Sequence, residues 1–311
     1  MTGTNDIPAA RRTGYRLLGR AFDYLLHMRP AEWPIMAAHT ALGYVLAAGA
    51  ADVAAGERLV PALAGLGLWV ICLNGGTLAI NSAFDRDEGD IAYLRNPPPP
   101  PRGLFAFGLT MMLAGQVAAL GLGVPFAVVY ACCLVLSVLY SVPPVRLKAV
   151  AGADWIINVV GFGALTPLAG WLATGLPLRT PETVAMLAFG PLFGALYPLT
   201  QLYQLDEDRR RGDRTFAVRL GPQRSVAIAI GCVLAAFALF GLAGWAAGWN
   251  RSPDRWRCGV VAAAAVPWLV LLVRWYRRAD ALTPVAQQRG MYLALGAWAL
   301  TDIAVVAAWW E

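Results

Sequence analysis

Apolar residues dominate nine stretches of this chain, each roughly twenty residues long and so able to cross a bilayer as a helix. By hydropathy they fall near 34–51, 62–84, 103–122, 125–141, 154–175, 183–205, 224–247, 257–274 and 289–309. A different pattern precedes them. From Tyr15 to Leu26 the residues Leu17, Leu18, Phe22, Leu25 and Leu26 recur at helical spacing with arginines between them. That predicts an amphipathic helix lying in the membrane interface. Residues 1–12 read as a disordered polar tail. The expected fold is all-α: a polytopic bundle of nine transmembrane helices over residues 31–311, preceded by a tail and interfacial helix over residues 1–30.

Composition agrees with a membrane bundle, since 58% of the residues are hydrophobic and only 14% are charged. The net charge of +6 does not signal nucleic-acid binding, because the basic residues lie in short segments between spans. If the N-terminus faces the cytoplasm, 20 of the 25 basic residues fall on the inner side, as the positive-inside rule requires. The C-terminus then faces out, with Trp309 and Trp310 in the outer aromatic belt. The first thirty residues hold five arginines and a short apolar run without a small-residue cleavage site, so no cleavable signal peptide is expected. Cys72, Cys132, Cys133, Cys232 and Cys258 lack CxxC spacing and read as small apolar residues. His27 and His39 are isolated, which argues against a histidine metal site.

Chemistry concentrates where the second span ends. Asn81-Ser82-Ala83-Phe84-Asp85-Arg86-Asp87-Glu88-Gly89-Asp90 brings four acids within six positions. Asn81 and Asp85 stand four apart and share a helix face. Carboxylates so close repel one another unless a cation lies between them. Oxygen donors without nearby His or Cys point to a hard cation, Mg2+ before Ca2+.

A second acidic cluster, Gln204-Leu205-Asp206-Glu207-Asp208, ends the sixth span about 120 residues later, and Gln204 and Asp208 repeat the four-residue spacing. Both clusters fall on the inner face, and basic segments follow the fourth and eighth spans. Two four-helix halves plus a ninth helix is the resulting arrangement, with a site between the halves near one membrane face. The fourth span is followed by Tyr140-Ser141-Val142-Pro143-Pro144-Val145-Arg146-Leu147-Lys148. Arg146 and Lys148, two apart, project the same way from an extended segment and suit phosphate oxygens. Acids cannot hold a polyanion directly, so a metal must lie between them and a diphosphate. A hydrocarbon tail would occupy the apolar interior.

At these residues the chain resembles the UbiA superfamily of intramembrane prenyltransferases, marked by Asn-x-x-x-Asp-x-x-x-Asp after the second helix and Asp-x-x-x-Asp after the sixth. The resemblance also covers the Tyr and Lys/Arg segment after the fourth, here Tyr140, Arg146 and Lys148. It implies magnesium, an isoprenyl diphosphate donor and a lipophilic, often aromatic, acceptor. Carried over by position, the metal ligands are Asn81, Asp85 and Asp208, and Arg29 resembles another diphosphate-contacting position. Three departures stand out. Residue 89 is Gly where the family has an acid, leaving Asp90 one place later as the substitute. Gln204 replaces the first acid of the second motif, with Asp206 as the stand-in. A short Arg-Pro segment becomes Arg95-Asn96, five prolines and Arg102, a stiff run expected over the cavity with Arg102 counted among the diphosphate contacts.

The leading expectation is Mg2+-dependent prenyl transfer within the membrane, with Asp85, Asp208, Arg146, Lys148 and Tyr140 as the catalytic group. A terpene cyclase of the same superfamily would use the same metal apparatus. A lipid or ion transporter is the rival of another class, with Asp302 in the ninth span as its intramembrane charge.

Overall fold

A computed structural model describes residues 9–85, 94 and 96–310. These residues fold into helices without a sheet; one isolated bridge joins Val150 to Arg214. Two short helices come first, α1 (Ala9–Leu18) and α2 (Phe22–His27). Residues 9–12, expected in the disordered tail, are the first turn of α1. Leu17 and Leu18 are exposed, as an interface-seeking face requires.

Nine long apolar helical segments follow among the described residues: α3 (Pro30–Ala55), α4 (Leu59–Asp85), α5 (Leu104–Leu122), α6 (Val124–Ser141), α7 (Ala153–Leu172), α8 (Thr180–Leu202), α10 (Phe216–Ala246), α11 (Arg255–Tyr276) and α12 (Pro284–Trp309). Each coincides with one predicted stretch. Between α8 and α10 stands a short polar helix, α9 (Leu205–Arg211). The hydrophobic count does not extend to α9 because its residues are charged. α10 begins earlier than hydropathy suggests, and Gly221 at φ 76° followed by Pro222 breaks it near the expected start of the span.

In a membrane, helices gain little from burying apolar surface against each other, so close backbone approach decides packing. Gly43 of α3 and Gly170 of α7 face each other so tightly that a Cβ on either would strike the other helix's backbone. Gly76 of α4 and Gly108 of α5 form a second such crossing. α8 is the central helix and packs chiefly on α10. Its Phe189, Leu192, Ala195 and Leu199 are fully buried in the largest apolar core.

Both α4 and α7 are interrupted by a π-helical turn, at Leu68–Asn74 and Val159–Leu165. Such turns rotate the side chains that follow and often accompany functional sites. Here they lie side by side: Trp69 Nε1 donates to Thr166 Oγ1 across 3.3 Å.

The proline run does not cover the central cavity. Pro97–Pro101 line a separate surface hollow with Ala83, Leu104 and Phe105. His27 Nε2 and the Pro98 carbonyl are 3.1 Å apart, which ties the run to α2.

Candidate active site

One cavity of about 400 Å³ opens at the end of the bundle where α4 and α8 finish. On α4 its wall is formed by Trp69, Leu73, Asn74, Thr77, Leu78, Asn81 and Asp85. At about 1.5 Å per residue these span somewhat over 20 Å of depth, from carboxylate to indole. The other walls show the same gradient. On α8 the lining passes from Gln201 and Thr200 through Tyr197 to Leu196 and Phe193, and on α6 from Tyr140 and Ser137 to Leu136 and Cys133. The mouth is charged and the interior is apolar and aromatic.

The mouth is assembled by loops that sequence patterning does not foresee. After α6 the chain turns through Pro143 and Pro144, and Arg146 adopts left-handed backbone angles (φ 35°, ψ 59°) before a short 3₁₀ turn, Leu147–Ala149. Arg146 and Lys148 were expected on an extended segment; instead Arg146 precedes this turn and Lys148 lies within it. They still converge, because Lys148 Nζ contacts the Asp85 carboxylate and Arg146 Nη2 lies 3.6 Å from it. Lys148 also donates to Asn81 Oδ1 at 3.0 Å. Arg214 N donates to the Ala149 carbonyl at 3.1 Å, which stitches this loop to the segment after α9.

That second segment supplies the remaining charges. Gly212, at φ 78°, ends α9 in the left-handed cap that glycine favours and sends Asp213 back beneath the helix. Asp213 takes the Arg146 guanidinium through both oxygens. Arg211 bridges the two acids, 2.8 Å from Asp208 Oδ1 and 3.5 Å from Asp213 Oδ2. Thr215 Oγ1 donates to Asp208 Oδ2 at 3.2 Å. Arg29 lines the same mouth, its Nη2 3.5 Å from Ser82 Oγ. Acids and bases therefore alternate around the opening.

Burial shifts two of these groups. It pulls the Lys148 ammonium down to about 7, the Arg211 charge adding to the effect while the Asp213 carboxylate works against it. It pushes the Asp208 carboxyl up, against the pull of the Arg211 hydrogen bond and charge.

Of the residues expected at the site, Arg29, Asn81, Asp85, Tyr140, Lys148, Gln204 and Asp208 line the cavity. Arg146 stands behind Asp85 and Asp213. Gln204 caps the start of α9, because the sixth span stops at Leu202 and does not run on through the acidic cluster. Its four-residue spacing to Asp208 survives on the new helix, and Asp208 N donates to the Gln204 carbonyl.

Two of the expected residues stand outside the cavity. Asp206 is 75% exposed and pairs with Arg209, since two residues along a helix place it on the side away from Asp208. Arg102 is exposed outside the cavity, with its carbonyl taken by the Tyr24 hydroxyl. Asp90 lies outside the described residues. Asp302 does not line the cavity; it sits 3.4 Å from His39 Nδ1, between α12 and α3.

Sequence reasoning missed Asp213, Arg211, Gln201 and Tyr197, all on the cavity wall. For Asp213 a signal was present: a Gly-Asp pair directly after a charged helix end.

Among the described residues no group of three or more His, Cys, Asp or Glu is assembled to hold a metal alone. The donor chemistry nevertheless fits Mg2+. Asn81, Asp85, Gln204 and Asp208 present hard oxygen donors from two segments, and Mg2+ is held by one or two carboxylates plus phosphate oxygens, not by a closed protein cage. The basic side chains between them match phosphate oxygens.

The model of the UbiA prenyltransferase family matches residues 36–302. The chain belongs to that family. Solved members share its architecture. A UbiA homolog from Archaeoglobus fulgidus bound to GPP and Mg2+ superposes with a TM-score of 0.65 at 17% identity, covering 92% of this chain and 99% of that one. The same homolog bound to DMAPP and Mg2+ gives 0.65 at 18% identity over the same shares. A structure reported for digeranylgeranylglyceryl phosphate synthase gives 0.65 at 14% identity, covering 93% of this chain and 98% of that one. At these identities the likeness establishes the fold. No curated protein sequence matches the chain. Nine long apolar helices among the described residues, together with family membership, make it an integral, multi-pass membrane protein.

Proposed function

We propose that this protein transfers an isoprenyl group from a polyprenyl diphosphate to a lipophilic, aromatic acceptor inside the membrane, in a Mg2+-dependent reaction. The observation that carries this reading is the ring of alternating acids and bases set over an apolar cavity. Relatives that bind GPP or DMAPP with Mg2+ support it.

Asn81, Asp85, Asp208 and Gln204 would hold Mg2+, with Asp90 as the further ligand expected from sequence. The ion, when bound, neutralises charge developing on the departing diphosphate. Lys148 and Arg29 bind phosphate oxygens, and Arg146 keeps Asp85 and Asp213 in place for them. The apolar walls, with Phe162, Phe193 and Trp69, exclude water and surround the allylic cation with aromatic faces. The acceptor attacks the cation and then loses a proton. In this reading the N-terminal tail, the interfacial helix and the mouth face the cytoplasm, and the C-terminus the opposite side.

The test is diphosphate release by the purified protein from GPP and DMAPP, with and without aromatic acceptors. Release that requires Mg2+ and is abolished by chelator supports the reading. Substrate movement without release would favour a transporter. Release without acceptor, accompanied by a cyclic hydrocarbon or alcohol, would identify a cyclase instead.

A further inference from the structure

We infer that Asp154, Gln201 and Tyr197 are positioning residues, whose hydrogen bonds fix the Tyr140 hydroxyl as a donor to the ester oxygen of the departing diphosphate. The inference rests on the proposed prenyl-diphosphate chemistry and adds to it the direction of every proton along a buried chain.

The chain starts at Asp154, near the beginning of α7 and 0% exposed. Its Oδ1 accepts from Gly152 N at 2.9 Å and Trp155 N at 2.8 Å. Its Oδ2 accepts from Phe216 N at 2.8 Å and Gln201 Nε2 at 2.9 Å. Backbone N–H groups can only donate, so Asp154 is an acceptor on these bonds. The Gln201 amide is oriented by the same rule: Ala217 N donates to its Oε1 at 3.1 Å, which turns its nitrogen toward Asp154 and Tyr197. One Nε2 hydrogen serves Asp154 and the other serves the Tyr197 hydroxyl at 3.0 Å. The Tyr197 oxygen thus accepts one hydrogen bond. Its own proton is then assigned to the Tyr140 hydroxyl, 2.9 Å away, a distance that fits either direction. The Asn158 side chain hydrogen-bonds that hydroxyl too. With Tyr197 and the Asn158 amide nitrogen as donors, the Tyr140 proton is left to point to the cavity.

Position indicates what that proton meets. Ser141, the next residue, donates to Asn81 Oδ1 at 3.4 Å, and Asn81 accepts from Lys148. Tyr140 therefore stands just below the charged ring, and Leu136 and Cys133 continue the wall beneath it. A diphosphate in the ring with its chain in the cavity puts the ester oxygen at this boundary. The C1–O bond breaks heterolytically, the electron pair stays on that oxygen as diphosphate, and the allylic carbon becomes a cation that the acceptor captures. Tyr140 keeps its proton and donates a hydrogen bond that strengthens as charge builds on the oxygen. Successive hydrogen bonds polarise one another, so the upstream residues act through Tyr140.

The test is a mutant cycle on diphosphate release from GPP with Mg2+. Tyr140→Phe is expected to lower kcat about 10²-fold, by analogy with loss of one positioned donor. Tyr197→Phe and Gln201→Met are each expected to lower it about tenfold, with donor KM changed less than about threefold. In a Tyr140→Phe background, adding Tyr197→Phe should cost less than about twofold, because residues acting through one group are not additive. The Tyr→Phe pair keeps the ring packing and decides alone if Gln201→Met does not fold. Losses that multiply would show Tyr197 to be merely structural and overturn the inference. A Tyr140→Phe effect confined to acceptor KM would also overturn it. Absence of release by the wild-type protein would instead sink the proposed function, and the inference with it.

Discussion

The two amide–carboxylate pairs share a spacing but are built in different ways. Asn81 and Asp85 occupy the last turn of a membrane span, and their basic partners, Arg146 and Lys148, arrive from a loop two helices away. Gln204 and Asp208 sit on a separate short helix, and Asp208 is held by Arg211 and Thr215 from its own segment. The first half-site is a meeting of distant segments; the second is locally self-contained. Identical sequence spacing can thus hide a difference in what each carboxylate does for the fold. Both acids are buried, Asp85 at 8% side-chain exposure and Asp208 at 7%, so neither is an inert helix end.

The largest effect that would test this comparison is on turnover. Asp85→Asn and Asp208→Asn are each expected to reduce diphosphate release about 10²-fold or more, measured at saturating Mg2+. Near-normal release by either variant would remove its half-site from the chemistry.

Stability should separate the two. Asp208→Ala removes one acceptor of Arg211 and the acceptor of the Thr215 hydroxyl within one segment and is expected to cost about 1–3 kcal/mol, read as a lowered Tm in detergent. Asp85→Ala instead frees the 142–150 loop. Protease cleavage in that loop should rise more in Asp85→Ala than in Asp208→Ala, and equal cleavage would contradict the distinction.

Lys148 gives a pH-dependent test. Burial holds its ammonium down to about 7, and only the charged form, which predominates below that value, attracts phosphate. The kcat/KM profile should therefore bend downward above pH 7, and Lys148→Arg should flatten that limb because a guanidinium stays charged. An unchanged profile in Lys148→Arg would assign the limb to another group.

The smallest effect is expected at Asp206. It is exposed and paired with Arg209, so Asp206→Asn should change turnover less than about twofold. A large loss there would mean that α9 reorients when the site is loaded.

Much of this was legible in the chain itself. Nine runs of apolar residues gave the count of long helices among the described residues and, apart from the early start of α10, their boundaries to within a few residues, because an apolar run of that length satisfies its own backbone in a bilayer as a helix. The paired spacings at 81/85 and 204/208 pointed to the proposed chemistry, since hard oxygen donors beside arginine and lysine suit few ligands other than a metal-bridged diphosphate. Sequence could not place Asp206 and Arg102 outside the cavity, because which face a short helix or a proline run presents is decided by what it packs against. Nor could it find the chain from Asp154 through Gln201 and Tyr197 to Tyr140, whose members lie on three different helices. Periodicity reports which residues leave water. Hydrogen-bond partners far apart in sequence exist only once helix crossings such as Gly43 on Gly170 have set the distances between backbones.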